Sequence, residues 1–261
     1  MKDGLPGNVE SEFRNRNQEF RNTNLKEEYT MKKTTTGFYT EETLKKFATA
    51  YKDAIDEVKN GRDKITISKG NSKMGIFPSV SLLPFLTCPS TCKGTCGKYC
   101  YAAKLSLLRP SVLKSYARNT AVALLKPEKY FEQVDKAAHK SKAFRPHVSG
   151  DFMSPEYLGK MFDVSENNKG TKFLSFSKRF EWCNDIITER GLPGNYHLLF
   201  SGEKNLKPIN PHNLPETIVV EPGMVVQENW ILCGGNCQNC CLHEKGCMGA
   251  KPGDVIAFKK H

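Results

Sequence analysis

The sequence predicts an α/β protein: a partial (β/α) barrel or an open parallel sheet, with a cysteine-rich C-terminal extension. Three observations predict it. Strand-like and helix-like segments alternate at least three times between Phe144 and Phe200, the pattern of a parallel sheet with crossover helices. The predicted strands end repeatedly in polar, glycine-bearing turns. Nine of the ten cysteines fall in two tight groups, and only Cys183 stands alone.

Residues 1–36 are rich in Asn, Arg, Glu and Thr with few aliphatics, so a poorly ordered polar arm is expected. Within it Glu12-Phe13-Arg14-Asn15 recurs as Glu19-Phe20-Arg21-Asn22. A helix is expected after Thr40. Thr40 suits the cap and Glu41 and Glu42 the first turn. Leu44, Phe47, Tyr51, Ile55 and Val58 keep helical spacing, and Gly61 closes the element. Short strands are expected at Ile65–Ser68 and from Ile76 to Leu83. A cysteine loop, residues 84–103, follows. Pro89, Gly94 and Gly97 argue against a helix there.

Two helical stretches, near 111–125 and 128–141, are separated by Pro127. Phe144 to Val148 reads as a strand ending in Ser149-Gly150-Asp151. Ser154-Pro155-Glu156 opens a helix with a cap residue followed by proline. Lys172 to Ser177 is a strand, Arg179 to Arg190 a helix closed by Gly191, and Tyr196 to Phe200 a strand ending in Ser201-Gly202-Glu203. Beyond Lys207–Pro215, strands are expected at Ile218-Val219-Val220 and Met224-Val225-Val226, joined around Pro222-Gly223. Val255 to Phe258 forms a last strand. The expected organisation is an arm (1–36), an α/β core (37–204) holding the metal loop 84–103, and a cysteine-rich metal-binding extension (205–261).

Parallel sheets bind ligands beyond the carboxyl ends of their strands. Those ends carry the cysteine loop, Ser149-Gly150-Asp151, Ser177-Lys178-Arg179 and Ser201-Gly202-Glu203. One shared site is therefore expected, with Asp151 and Lys178 as candidate catalytic groups. Ser149, Gly150, Asp151, Ser177, Ser201 and Glu203 are candidate cofactor contacts. His147 reads as a core histidine near that site, and Trp182 and Trp230 as packing residues. There is no phosphate loop, dinucleotide-binding glycine fingerprint or His-Glu-x-x-His zinc motif.

Met1 to Glu12 contains no apolar stretch, so no export signal is expected and the expected location is cytoplasmic. No run approaches a membrane span, and no membrane partner is expected. A reducing compartment disfavours disulfides, so clustered thiols point to metal. The first group is Cys88, Cys92, Cys96 and Cys100. The second is Cys233, Cys237, Cys240, Cys241 and Cys247, with His243 among them. Thiolate-rich loops suit iron–sulfur clusters, foremost a 4Fe-4S cluster, and zinc is the alternative at either site. The net charge is +11. Residues 88–147 hold twelve Lys/Arg against three Asp/Glu, a net of +9 (12 − 3). Nucleic acid or another anionic substrate is the partner class this favours.

A three-cysteine loop after the first strand of a parallel sheet resembles radical S-adenosylmethionine enzymes, in which three thiolates leave one iron open to that cofactor. Tyr99 before Cys100 matches the aromatic common there. Ser149-Gly150-Asp151 stands where those enzymes carry a turn that meets the cofactor's amino group. The superfamily spacing is three residues and then two, whereas Cys92, Cys96 and Cys100 are spaced three and three. A nearer resemblance is to a phage-associated family, gene product 88. It covers most of residues 76–247 and runs over Leu83 to Tyr116, with Thr87-Cys88-Pro89 and Cys100-Tyr101-Ala102 as anchors. It continues through His147 to Phe152 with Ser154 and Tyr157, then Phe176-Ser177-Lys178 and the terminal cysteines. Cys88, Cys96 and Cys100 match its cysteines and Cys92 is extra. That resemblance implies a radical-SAM-like half barrel and no particular reaction, and for a phage-encoded chain a location in the host cytoplasm. It leaves S-adenosylmethionine as a further candidate cofactor.

Overall fold

The computed structural model describes residues 37–261, apart from 72–73, 94, 204–205, 222 and 260–261. The expected arm and its repeated tetrapeptide lie outside the described residues. Helix α1, Glu41–Lys59, begins where Thr40 Oγ1 accepts the Thr43 N–H at 3.1 Å. It buries Phe47, Ala54 and Val58, and Gly61, at φ +87°, turns the chain out of it.

Strands β1 (Ile67–Ser68) and β2 (Ser79–Val80) are each two residues long. The strand expected over Ile76–Leu83 is thus confined to its middle, because Ile76 is exposed on a turn. The cysteine loop departs from expectation. Ser90–Lys93 forms a 3-10 turn and α2, Thr95–Lys98, a single helical turn. Pro89 precedes the first turn, where a missing N–H costs nothing. Gly97 is tolerated because its Cα is crowded: a Cβ there would lie 2.8 Å from the Cys92 carbonyl oxygen.

Helices α3 (Tyr101–Leu108), α4 (Pro110–Leu125) and α5 (Pro127–Ala138) follow, the last two each opening on proline. Then β3 (Ala143–Pro146), α6 (Pro155–Asn167), β4 (Lys172–Ser177), α7 (Phe180–Arg190) and β5 (Tyr196–Ser201) alternate as the sequence predicts. Ser154 Oγ caps α6 through the Tyr157 N–H at 3.1 Å. The chain continues through β6 (Glu216–Val220), β7 (Ile231–Leu232), α8 (Cys237–Leu242), a 3-10 turn (Gly246–Met248) and β8 (Val255–Lys259). Met224–Val226 is not a strand. Val225 is 83% exposed, and the ladder partner of β8 is instead Ile231–Leu232.

Among the described residues eight strands lie in the order β1-β2-β3-β4-β5-β6-β8-β7. Of these strands only β1 runs antiparallel to its neighbour. The sheet is open, with β1 and β7 at its edges. One face packs under the helices around Tyr130, Phe144, Phe152, Phe162, Phe173 and Phe200. The other, inner face carries a smaller core of Phe77, Ala143, Leu174, Leu199, Cys241, Met248 and Ile256. Residues from the C-terminal cysteine segment thus cover the inner face of the sheet. Among the described residues no helix is long and apolar enough to cross a membrane.

Candidate metal centre at the strand ends

The turn after β3 is fastened to the root of the cysteine loop. Leu82 and Ser149 exchange bonds: the Leu82 N–H donates to the Ser149 carbonyl and Ser149 Oγ to the Leu82 carbonyl, both at 2.9 Å. Gly150 sits at φ +81°, and a Cβ on it would lie 2.4 Å from Thr87 Oγ1. Asp151 N–H donates to that same hydroxyl at 3.3 Å. Thr87 immediately precedes Cys88, so the Ser-Gly-Asp turn braces the first cysteine of the loop.

Asp151 is buried and its carboxylate is occupied. Oδ1 accepts from the Phe152 N–H and from Ser177 Oγ, and Oδ2 from the Lys178 N–H, all at 2.8 Å. Burial pushes its pKa up. The Lys178 N–H, the nearby Arg179 charge and the other two bonds oppose that rise without cancelling it. The carboxylate therefore clamps the end of β3 to the end of β4.

Lys178 reaches across to β5. Its ammonium donates to the Ser201 carbonyl at 2.8 Å and Ser201 Oγ at 2.7 Å, and pairs with Glu203 Oε1 at 3.2 Å. The two charged side chains are only 9% and 14% exposed. Arg179 stacks on Trp182 with its guanidinium carbon 4.2 Å from the ring centroid, and donates from Nη2 to the Thr87 carbonyl at 3.1 Å. Its Nε is buried and has no partner among the described residues. Trp182 is thus a platform for this arginine, a role that its sequence surroundings did not announce.

Within the loop Cys92 is buried, and the neighbouring Cys88 and Cys96 thiols act on it. These thiols and burial raise the Cys92 pKa. The Cys96 thiol is held down, first by Cys92 and then by the charge of Lys178, against burial and the charges of Glu203 and Asp151. Those interactions put Asp151, Lys178 and Glu203 within electrostatic reach of Cys96. Cys100 Sγ accepts the Ala103 N–H at 3.4 Å, capping α3, and burial pushes its thiol up to about 12. The cofactor candidates Ser149, Gly150, Asp151, Ser177, Ser201 and Glu203 all belong to this end of the sheet, but Ser149, Ser177 and Ser201 spend their hydroxyls on neighbouring protein groups.

The second group follows β7. Cys233 Sγ accepts the Gly235 N–H at 3.4 Å. Cys237 and Cys240 lie three residues apart on α8, which Asn236 caps through the Asn239 N–H at 2.8 Å. Burial pushes Cys247 up to about 12, and the charges of Cys233, Cys237 and Cys240 act on it in the same direction. Cys241 is buried in the inner core instead. All ten cysteines are free thiols. Among the described residues, no three His, Cys, Asp or Glu side chains are arranged to hold a single metal ion. Tetrahedral zinc with bonds of about 2.3 Å needs its thiolates about 3.8 Å apart, so ligation requires these side chains to turn inward.

His147, at φ +58°, is buried with Nε2 2.9 Å from Tyr157 Oη, which lies 2.7 Å from Tyr130 Oη. Burial alone lowers its pKa to about 3, so it is a neutral core residue. The basic stretch 88–147 is partly consumed by ion pairs: Arg118 with Glu57, Lys126 and Lys129 with Asp63, and Lys136 with Glu132. Beside the loop, Tyr99 and Tyr101 are exposed, and Lys98 lies 5.5 Å from the Tyr99 ring centroid. The Tyr101 hydroxyl donates to the Val148 carbonyl, a further tie between the loop and the turn after β3.

A family model described as gene product 88 matches residues 43–230. The match begins in α1, earlier than the resemblance read from the sequence. It takes in the first cysteine loop, Asp151, Lys178 and Glu203, and it ends before Cys233. No curated protein and no solved structure matches the chain.

Proposed function

The chain belongs to the gene product 88 family, and from that premise we propose that it is an iron–sulfur protein of radical-SAM-like type acting on an anionic or nucleic-acid-related substrate. The observation that carries the reading is the meeting of the four-cysteine loop with the Asp151 clamp and the Lys178–Glu203 pair at the carboxyl ends of parallel strands. Cys88, Cys96 and Cys100 would hold a 4Fe-4S cluster. The donor set fits such a group: soft thiols on one loop, beside the cations Lys178 and Arg179. S-adenosylmethionine at an open iron position would supply radical chemistry.

The chain's own groups divide the remaining work. Asp151 acts as a positioning residue. A carboxylate has about four acceptor sites, and three protein donors already occupy this one. Its part is to fix the Lys178 backbone and, through Thr87, the root of the loop. Glu203 is the freer carboxylate near Cys96, and its pairing with Lys178 gives a ligand there one anionic and one cationic contact.

The test is anaerobic purification of the whole chain with iron, sulfide and zinc analysis and a visible spectrum. Brown protein with iron and sulfide supports the reading. Colourless protein with stoichiometric zinc and no iron overturns it in favour of a zinc-stabilised nucleic-acid-binding protein without chemistry. The exposed Tyr99 and Tyr101 beside Lys98 are the observation in favour of that second reading, since aromatic and basic side chains together suit stacked bases.

A further inference from the structure

The C-terminal cysteines lie beyond the residues matched by the family model, and the reading of the first loop makes no use of them. Their placement is ordered. Cys233 N–H donates to the Ala257 carbonyl at 2.9 Å, continuing the β7–β8 ladder. The capped turn of α8 sets Cys237 and Cys240 one helical turn apart. The chain then reverses. Lys245 N–H donates to the Cys240 carbonyl at 2.9 Å, and Glu244 and Gly246 both take positive φ, +49° and +50°. The return is close: a Cβ on Gly246 would lie 3.1 Å from Cys240 Sγ. This delivers Cys247 within electrostatic reach of Cys233, Cys237 and Cys240. Cys241 differs from the other four in being buried, within the inner core of Phe77, Leu174 and Leu199 against which Cys233 and Cys247 only pack at the edge.

A second observation comes from the sheet. Arg145 of β3 is on the inner face, its guanidinium carbon 4.9 Å from the Phe176 ring centroid. Its Nε is buried and has no partner among the described residues. It lines one small cavity together with Cys237 and Met248, and its charge acts on Cys247. Among the described residues it has no carboxylate within ion-pair distance. The side chain is half-buried, and an enclosed donor on a cationic group favours an anionic acceptor beside it. Metal-bound cysteines are thiolates and would provide it.

We propose that Cys233, Cys237, Cys240 and Cys247 hold a second, tetrathiolate metal centre on the inner face of the sheet, with Arg145 as its outer cation and Cys241 excluded. The metal is thiophilic, either zinc or the iron of an iron–sulfur cluster. The centre pins β7 and α8 over the inner core, so metal binding there contributes to folding.

The test separates this centre from the first. The full chain carrying Cys88→Ala and Cys96→Ala is purified anaerobically and analysed for zinc, iron and sulfide. One centre per chain is expected to remain, zinc alone or iron with sulfide, and either supports the proposal. In that background Cys240→Ser should lose it and Cys241→Ser should keep it. Arg145→Gln should release it to a chelator about tenfold faster or more, as outer-shell losses do. Folded protein without metal, or Cys241→Ser losing metal as fully as Cys240→Ser, overturns the site. Unchanged release from Arg145→Gln overturns the role of the arginine. Should the doubly substituted chain not fold, the parent chain replaces it. Two centres falling to one on Cys240→Ser then support the proposal, and an unchanged metal count defeats it.

Discussion

Asp151 is hydrogen-bonded through its backbone N–H to the side chain of Thr87, at 3.3 Å. That bond joins the turn after β3 to the residue before Cys88, across 64 positions of sequence. The cysteine loop is therefore not free to choose its distance from the sheet. Thr87 Oγ1 also donates to the Leu83 carbonyl at 3.0 Å, so one hydroxyl serves both the loop and the turn.

Gly150→Ala should disrupt this junction. The new Cβ would lie 2.4 Å from Thr87 Oγ1 and 2.8 Å from Leu82 Cβ, at a φ of +81°. Strain and overpacking together should cost roughly 2 kcal/mol or more. For a chain of this size that lowers Tm by about 5 °C or more. Thermal unfolding of the variant checks it, and a Tm within a degree of the parent would show that the turn is not braced as described.

How much of this was legible in the sequence differs by element. The alternation from β3 to β5 was readable because each helix announces itself, as with Ser154-Pro155 before α6 and Gly191 after α7. The order β6-β8-β7 was not, because no helix crosses from β5 to β6 and two-residue pairing at Ile231–Leu232 leaves no periodic trace. At the site, Ser149 to Asp151 and Lys178 could be found from the rule that ligands gather at strand ends. Thr87 stood out only as an anchor of the family resemblance, and its bracing role left no mark, since nothing local distinguishes a threonine that receives a distant N–H. Arg145 did leave a signal: a charged residue in mid-strand of a sheet covered on both faces, between Phe144 and Pro146.

Asp151→Asn should reveal the clamp through pH. Burial raises the Asp151 pKa above its ordinary value, so the folded state holds this proton more tightly than the unfolded chain does. Its contribution to stability is therefore largest below the unfolded carboxylate pKa and declines as pH rises through the folded one. Asn keeps an acceptor for Phe152 and Ser177 but turns an amide donor toward the Lys178 N–H, costing about 1–3 kcal/mol. Urea unfolding at pH 4 and pH 7 should show the parent's advantage shrinking at the higher pH. An advantage that grows with pH would refute the raised pKa.

Lys178 and Glu203 should behave as a coupled buried pair. Removing one partner leaves the other charge enclosed, at 9% and 14% exposure, so Lys178→Met and Glu203→Gln should each destabilise by about 3 kcal/mol. The double variant should recover part of that, giving a coupling of about 1–3 kcal/mol in denaturant unfolding. Additive losses would mean that the ammonium is held by Ser201 alone.

The proposed chemistry makes its sharpest demand on Cys92. Its thiol is acted on by both Cys88 and Cys96 and is the most buried of the four. If it ligated the cluster together with the other three, four thiolates would close every iron, and no position would remain for S-adenosylmethionine. The radical-SAM-like reading therefore requires Cys92 to be a packing residue beside the cluster. Cys96→Ala should abolish the visible absorbance of the first site in anaerobic protein. Cys92→Ala should retain its iron and absorbance and lose only the stability of a small buried side chain, about 1 kcal/mol. Titration of Cys92→Ala with S-adenosylmethionine should still perturb the cluster spectrum. Loss of iron from Cys92→Ala as complete as from Cys96→Ala would make the first site a closed tetrathiolate centre, suited to electron transfer or structure rather than to cofactor cleavage.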